Sequence, residues 1–396
     1  LQRLENDVRW VRVLAVSLPL IVLNCGWIAN SEMKTGVTEV TISSLFAGVT
    51  FILFIVTLLN LLVRRVSRAA ALNQPELMVL YSLLAMSSVV AGVGHMGFFT
   101  PFLTAAFYYA TPVNGWKSFW YLLPHQIGPR DPEVLKGFYN GQSTFFTPHI
   151  MAAWAMPLIS WSAFFLVLMW TTLCMAAILR KRWADDEHLA FPVVALPIEL
   201  TAEGAPILRS KLMWAGFAVP CFFHSLNSLH SLFPTLPFLP FNSVHDLVVD
   251  YHLSLPMNGA GTIFYMLHPV GVGFGYLIGT DASFSLWFFY VLKKLVDVLA
   301  VSYALRDPTG SWMGDGNNQF PCWMYQSWGA WLTLGVAALW VGRKQFAEYF
   351  GRALRGDPSG IDRSEAMSAR TAVFGALAGF FALCGFVWMW GGSWWL

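Results

Sequence analysis

Apolar residues run through this chain in blocks of about 20, the length at which a helix crosses roughly 30 Å of hydrocarbon. The blocks fall at 12–30, 41–63, 77–98, 152–179, 211–232, 258–279, 283–304, 324–342 and 371–392. This pattern predicts an all-α, polytopic bundle of about nine transmembrane helices. The stretches between the blocks differ in kind. Residues 99–151, 233–257 and 305–323 are rich in aromatics, glycine and proline, and read as outer loop regions. Trp116, Trp120 and Tyr139 suit anchors at the membrane interface there. The remaining connections are short or basic.

A cytoplasmic N-terminus puts 1–12, 64–76, 180–211 and 343–370 on the inner side, and these hold most of the 24 Lys and Arg residues. Arg64, Arg65 and Arg68 close the second block, Arg180, Lys181 and Arg182 the fourth, and Arg343 with Lys344 the eighth. The positive-inside rule supports that orientation. The stretch "RKRWADDEHLAFPVVALPIEL" (180–200) is the most unusual of the inner segments. Its basic stop leads into an acidic turn and then an apolar run too short to span, interrupted by Pro192 and Pro197. Each proline removes a backbone donor, so a re-entrant or interfacial hairpin over 180–210 is predicted. Glu187, Pro192, Pro197 and Glu199 are candidates for an inner gate, against a purely structural hairpin.

Composition agrees with a membrane setting. Of 396 residues, 56% are hydrophobic and 12% charged, against about a quarter charged in soluble domains. A net charge of +2 gives no sign of a nucleic-acid partner. The whole of 1–396 reads as one integral membrane domain. It starts at Leu1 and stops inside an aromatic run, as part of a longer product would.

Charges within spans narrow the search. A charged side chain at the bilayer centre costs about 2.5–3.5 kcal/mol on insertion scales, so it faces protein or water. Gly271, Gly273, Gly275 and Gly279 loosen the end of the sixth block, and Asp281, Ser283 and Ser285 follow. A broken helix of that kind can build a substrate or ion site. Asp281 could equally cap the seventh helix, with Ser283 assisting. Lys293 and Asp297 are four apart and can pair on one helix face, with Lys294 beside them. That pair serves a structural or a pathway role equally well. Asn24 and Asn227 suit interhelical hydrogen bonds, and "GALAG" (375–379) suits close helix packing.

Other chemistry finds little support. Cys25, Cys174, Cys221, Cys322 and Cys384 are scattered, without disulfide or zinc spacing. "HDLVVDYH" (245–252) would align Asp246, Asp250 and His252 for a metal only if extended, and the blander reading is a polar loop. His95, His224 and His268 leave pigment or haem ligation open without favouring it, and no cofactor is predicted. No HExxH, GxSxG or paired-carboxylate motif appears, so the chain does not read as an enzyme.

The blocks "YYATPVNGW" (108–116), "DPEVLKGFYNG" (131–141), "RKRWADDEHLAFPVVALPIELT" (180–201), "SFSLWFFYVLKKL" (283–295) and "QSWGAWLTLGVAALWVGRK" (326–344) carry a resemblance. They resemble a group of large uncharacterised bacterial integral membrane proteins, distantly similar to the oligopeptide transporter superfamily. The resemblance implies an inner-membrane bundle with internal repeats and a substrate path through broken helices. It points to Glu187, Phe191, Pro192, Pro197 and Glu199 in one block, and to Ser283, Ser285, Trp287 and Phe288 in another. Members of the group continue with further spans, and Asp281 and Lys293–Lys294 fall in a block that varies. The leading expectation is a secondary-transporter-like permease for a small organic solute, of peptide or metal-chelate class. The alternative is a structural or accessory subunit of a membrane complex, its 19 Trp and 32 Phe packing against partner proteins, lipids or pigments; a homo-oligomer is a separate partner expectation.

Overall fold

The computed structural model describes residues 8–34, 41, 47–183, 191–239, 243–307, 319–356 and 365–393. They form an all-α protein with one short strand pair. Helix α1 (Trp10–Ile28) is prolonged by a π-turn (Ala29–Lys34). After α2 (Ala47–Val66) comes α3 (Gln74–Ala91), which passes through a second π-turn (Val93–Phe99) into α4 (Thr100–Tyr108). Helices α5 (Pro132–Asn140), α6 (Pro148–Lys181), α7 (Pro192–Thr201) and α8 (Lys211–Leu232) follow. Strands β1 (His245–Asp246) and β2 (Phe264–Tyr265) pair antiparallel, His245 opposite Tyr265. The chain continues with α9 (Pro269–Leu277), α10 (Thr280–Ser302), α11 (Trp323–Arg355) and α12 (Ala369–Met389).

Among the described residues, 5 helical runs are long and apolar enough to cross a membrane: Trp10–Lys34, Ala47–Val66, Gln74–Tyr108, Pro148–Lys181 and Ala369–Met389. Helices α8, α10 and α11 are also long but more polar. Each predicted block contains one long helix except 258–279. That block divides into a 3-10 turn (Met257–Ala260), β2 and the nine-residue α9. Its glycines explain the difference, since each costs about 1 kcal/mol against Ala inside a helix. Gly261 goes further and adopts a left-handed φ of 63°, which ends the helical turn. The predicted inner hairpin contains α7, ten residues long and too short to span. Pro192 opens it, and Pro197 lies inside it, buried, with Thr201 Oγ1 donating to the Pro197 carbonyl at 2.8 Å.

The contacts gather into two compact units, residues 1–189, 197–205 and 344–396 in the first and residues 190–196 and 206–343 in the second. In the first, α1 lies along α3, joined by a buried bond from Asn24 Nδ2 to Ser88 Oγ at 2.8 Å. Helix α3 starts with a capping box of Asn73 and Glu76. The Arg9 guanidinium grips the same Glu76 carboxylate with two bonds, at 2.9 and 3.2 Å. Helices α6 and α12 form the second pair. A Cβ at Gly379 would fall on Thr171 Oγ1, and one at Gly375 would sit 2.7 Å from Cys174 Sγ. The small residues of "GALAG" therefore let the two helices touch. Further along, Trp161 meets Trp390 at 4.2 Å between ring centres.

Two expected interface anchors turn inward onto α4. Trp120 Nε1 donates to the Ala106 carbonyl at 3.0 Å, and Tyr139 donates to that of Pro101 at 2.7 Å. Tyr139 also stacks on Tyr108 at 4.1 Å.

Candidate functional site

The second unit concentrates its charge at the C-terminal half of α10. Asp297 is fully buried there, and side chains from three segments converge on it. Lys293, one turn earlier, donates to Oδ2 at 3.0 Å, which is the i,i+4 pairing expected from spacing. Trp323 Nε1 donates to Oδ1 at 2.7 Å, and Arg306 Nη1 donates to the same oxygen. The Lys293 ammonium also rides over the Trp323 ring, 5.1 Å from its centre.

Lys294 faces a different segment. Gly259 approaches α10 so closely that a Cβ there would lie 2.6 Å from Val301 Cγ2. That approach presents the carbonyls of Ala260 and Thr262 to Lys294 Nζ, at 2.8 and 2.7 Å. Asp246 caps the adjoining helical turn through Val248 N at 3.1 Å, also accepts from Ile263 N at 3.0 Å, and supplies a further negative charge. Among the described residues, the three cations Lys293, Lys294 and Arg306 thus outnumber the two carboxylates of Asp297 and Asp246 near them. Asp297 accepts three hydrogen bonds, two of them from cations. The open chemistry belongs to the cations, since the Lys293 side chain keeps 39% of its exposure. Such a cluster can hold an anionic group by charge-assisted hydrogen bonds.

The other predicted residues are placed elsewhere. Asp281, Ser283 and Ser285 are exposed on the first turns of α10, about 18–24 Å from Asp297 at 1.5 Å per residue. They share the helix but not the cluster. The expected cap is corrected too: the N-cap is Gly279, with no side-chain bond, and Asp281 sits inside the first turn. Ser285 Oγ donates to the Asp281 carbonyl at 2.8 Å. Among the gate candidates, Glu199 is exposed on α7, and Glu187 lies outside the described residues. "HDLVVDYH" is not extended, because Leu247–Asp250 is a helical turn. Asp250 instead pairs with His245 at 3.3 Å and accepts from the Tyr265 hydroxyl at 3.1 Å. Among the described residues, no three His, Cys, Asp or Glu side chains gather for a metal. Of the histidines, His268 caps α9 through Gly271 N at 3.4 Å, and His95 packs edge-on against Phe165 at 5.0 Å.

Sequence reasoning missed Arg306 and Trp323, which reach the cluster from another segment. It also missed Glu32, in the π-turn after α1. This buried carboxylate accepts from Thr41 N at 2.6 Å, Thr41 Oγ1 at 3.0 Å and Val93 N at 2.8 Å. It ties one π-turn to the start of the other, and such widened turns are frequent at functional sites. A lone acid directly after an apolar block was the available signal.

The described residues define a class: an all-α protein with helices long and apolar enough to cross a membrane, and a cation-rich cluster on a more polar helix. No curated protein and no solved structure matches the chain. The chain belongs to the family of unknown function DUF6785, whose model matches residues 2–396. None of these comparisons supports the expected distant likeness to the oligopeptide transporter superfamily.

Proposed function

We propose that this protein is a multi-pass permease of the bacterial inner membrane, with a cytoplasmic N-terminus, that carries a small organic solute rather than transforming it. The observation that carries the reading is the surplus of cations around Asp297. A charge cluster is costly in or near a membrane unless it serves a polar cargo or ion. Anionic solutes of peptide or metal-chelate type fit it, their carboxylates meeting Lys293 and Lys294. We assign the pathway to α10, from Asp281, Ser283 and Ser285 to Lys293, Lys294 and Asp297. Glu187, Pro192, Pro197 and Glu199 serve as the inner gate.

The test is ligand-dependent thermal stabilisation and uptake in proteoliposomes, using a panel of di- and tripeptides and ferric chelates. Lys294→Gln and Asp281→Ala should each lower binding by about tenfold, the worth of one hydrogen bond to a charged group. Binding by both variants equal to wild type would sink the assignment.

A second reading has its own observation. Trp328, Trp331 and Trp340 on α11 are all more than half exposed, as are Phe284 and Trp287 on α10. A subunit that packs against other polypeptides would present such faces. Native mass after gentle extraction separates the two readings, since stoichiometric foreign subunits favour the second.

A further inference from the structure

The first unit holds a cavity of about 380 Å³ that is independent of the α10 cluster. Its wall comes from three segments: the end of α2 with Asn60, Arg64 and Arg68, the start of α3 with Asn73 and Gln74, and the turn 202–205 after α7. Arg9 closes a further side.

An inventory of charge shows what the cavity can take. Arg9 is fully engaged, bonded to Glu76 and to the carbonyls of Ala69 and Ala71. Asn60 is likewise committed, to both backbone groups of Leu72. Among the described residues Arg64 pairs with Glu203 alone, whose side chain is 81% exposed. Arg68 is exposed and has no acidic partner among the described residues. Among the described residues one guanidinium is therefore without an acidic partner, and a second is held by a carboxylate that water could replace.

The turn carrying Glu203 is also unusual. Gly204 and Ala205 both have left-handed φ, 76° and 43°. Ala205 is buried in that conformation, which is uncommon for a residue with a Cβ. Backbone in such regions persists where the surroundings demand it, and it clusters at ligand clamps and switches. Here it sets Glu203 against Arg64 at the mouth of the cavity.

We propose that this cavity binds a phosphate-type anion between Arg64 and Arg68, and that Glu203 is the placeholder which the anion displaces. Two sources share that chemistry: the phosphodiester of an anionic lipid, and a dissolved phosphate. Basic pockets beside membrane helices recognise lipid head groups through the same pairing.

The test uses the full chain in phosphatidylcholine bicelles, titrated with phosphatidylglycerol or with inorganic phosphate while the unfolding midpoint is followed. Wild type is expected to respond to at least one probe. A response to phosphatidylglycerol alone assigns a lipid head group, and a response to both assigns a soluble anion. Arg68→Gln should weaken the response about tenfold, as loss of a charged hydrogen bond does. Because the Arg68 side chain is exposed and outside any ion pair among the described residues, its basal midpoint should be unchanged. Glu203→Gln should tighten binding about two- to fivefold, the worth of an exposed ion pair removed from competition. The proposal is overturned if neither probe shifts the midpoint, if Arg68→Gln titrates like wild type, or if Glu203→Gln weakens binding.

Discussion

Glu76 and Asp297 are both buried carboxylates held by several donors, yet the two units satisfy them differently. Glu76 is served by the backbone N–H groups of Asn73 and Arg9 and by one guanidinium, that of Arg9. Half of the Arg9 side chain remains in solvent, so the lock joins a helix start to a surface cation. Asp297 is served by side chains alone, two of them cationic. The first arrangement balances charge and fixes structure. The second leaves cations in excess, which is why it is the better candidate for binding.

The comparison breaks most visibly at the carboxylates themselves. Asp297→Ala strands Arg306, whose side chain is only 11% exposed, together with the Trp323 indole. A loss of about 3–5 kcal/mol is expected, as for other broken buried pairs. Glu76→Ala should cost less, because Arg9 can turn to water. Urea or thermal unfolding of both variants checks the order, and equal losses would show that the two sites do the same work.

A smaller effect contrasts the packing of the two units. Gly379 faces Thr171 across the α6–α12 contact, whereas Gly335 on α11 has open space where a Cβ would go. Gly379→Ala should therefore destabilise, by about 1–3 kcal/mol for overpacking. Gly335→Ala should stabilise by up to about 1 kcal/mol through helix propensity. Adding Thr171→Ala to Gly379→Ala should restore part of the loss. Opposite signs in thermal midpoint for the two glycines are the decisive result.

The smallest effect concerns a partly exposed carboxylate, Asp131, which caps α5. Its pKa is held below the ordinary value by the backbone N–H of Glu133, with His149 contributing. Asp131 accepts from Glu133 N at 2.8 Å, and His149 Nε2 lies 2.9 Å from its other oxygen. A depressed carboxylate pKa adds stability above the unfolded value of about 3.9 and loses it as pH falls through the folded value. Asp131→Asn should thus lower the midpoint slightly at pH 6 and match wild type near pH 2. A difference that persists at the lowest pH would point away from ionisation.

Much of this was legible in the chain. Apolar blocks located the long helices because a 20-residue run has few alternatives, and the i,i+4 spacing located Lys293 and Asp297. The failures share a physical cause. Residues 258–279 are apolar enough to span but too glycine-rich to stay helical, and hydropathy does not register backbone freedom. Arg306 and Trp323 join Asp297 through tertiary contact, which no spacing encodes. The cap expected of Asp281 is held instead by Gly279, two residues earlier. Glu32 was passed over because its partners, Thr41 and Val93, lie in other segments.

The α6–α12 contact has a consequence for biosynthesis. Cys174 and the Thr371 carbonyl it approaches are separated by 197 residues. A ribosome adding about 5–20 residues per second leaves the nascent α6 without its mate for roughly 10–40 s. Over that interval its hydroxyls need acceptors of their own. Thr171 donates to the Val167 carbonyl at 2.7 Å and Thr172 to that of Leu168 at 2.9 Å, both within α6. These two hydroxyls are therefore already quenched within the helix, which can wait in an oily phase until α12 arrives.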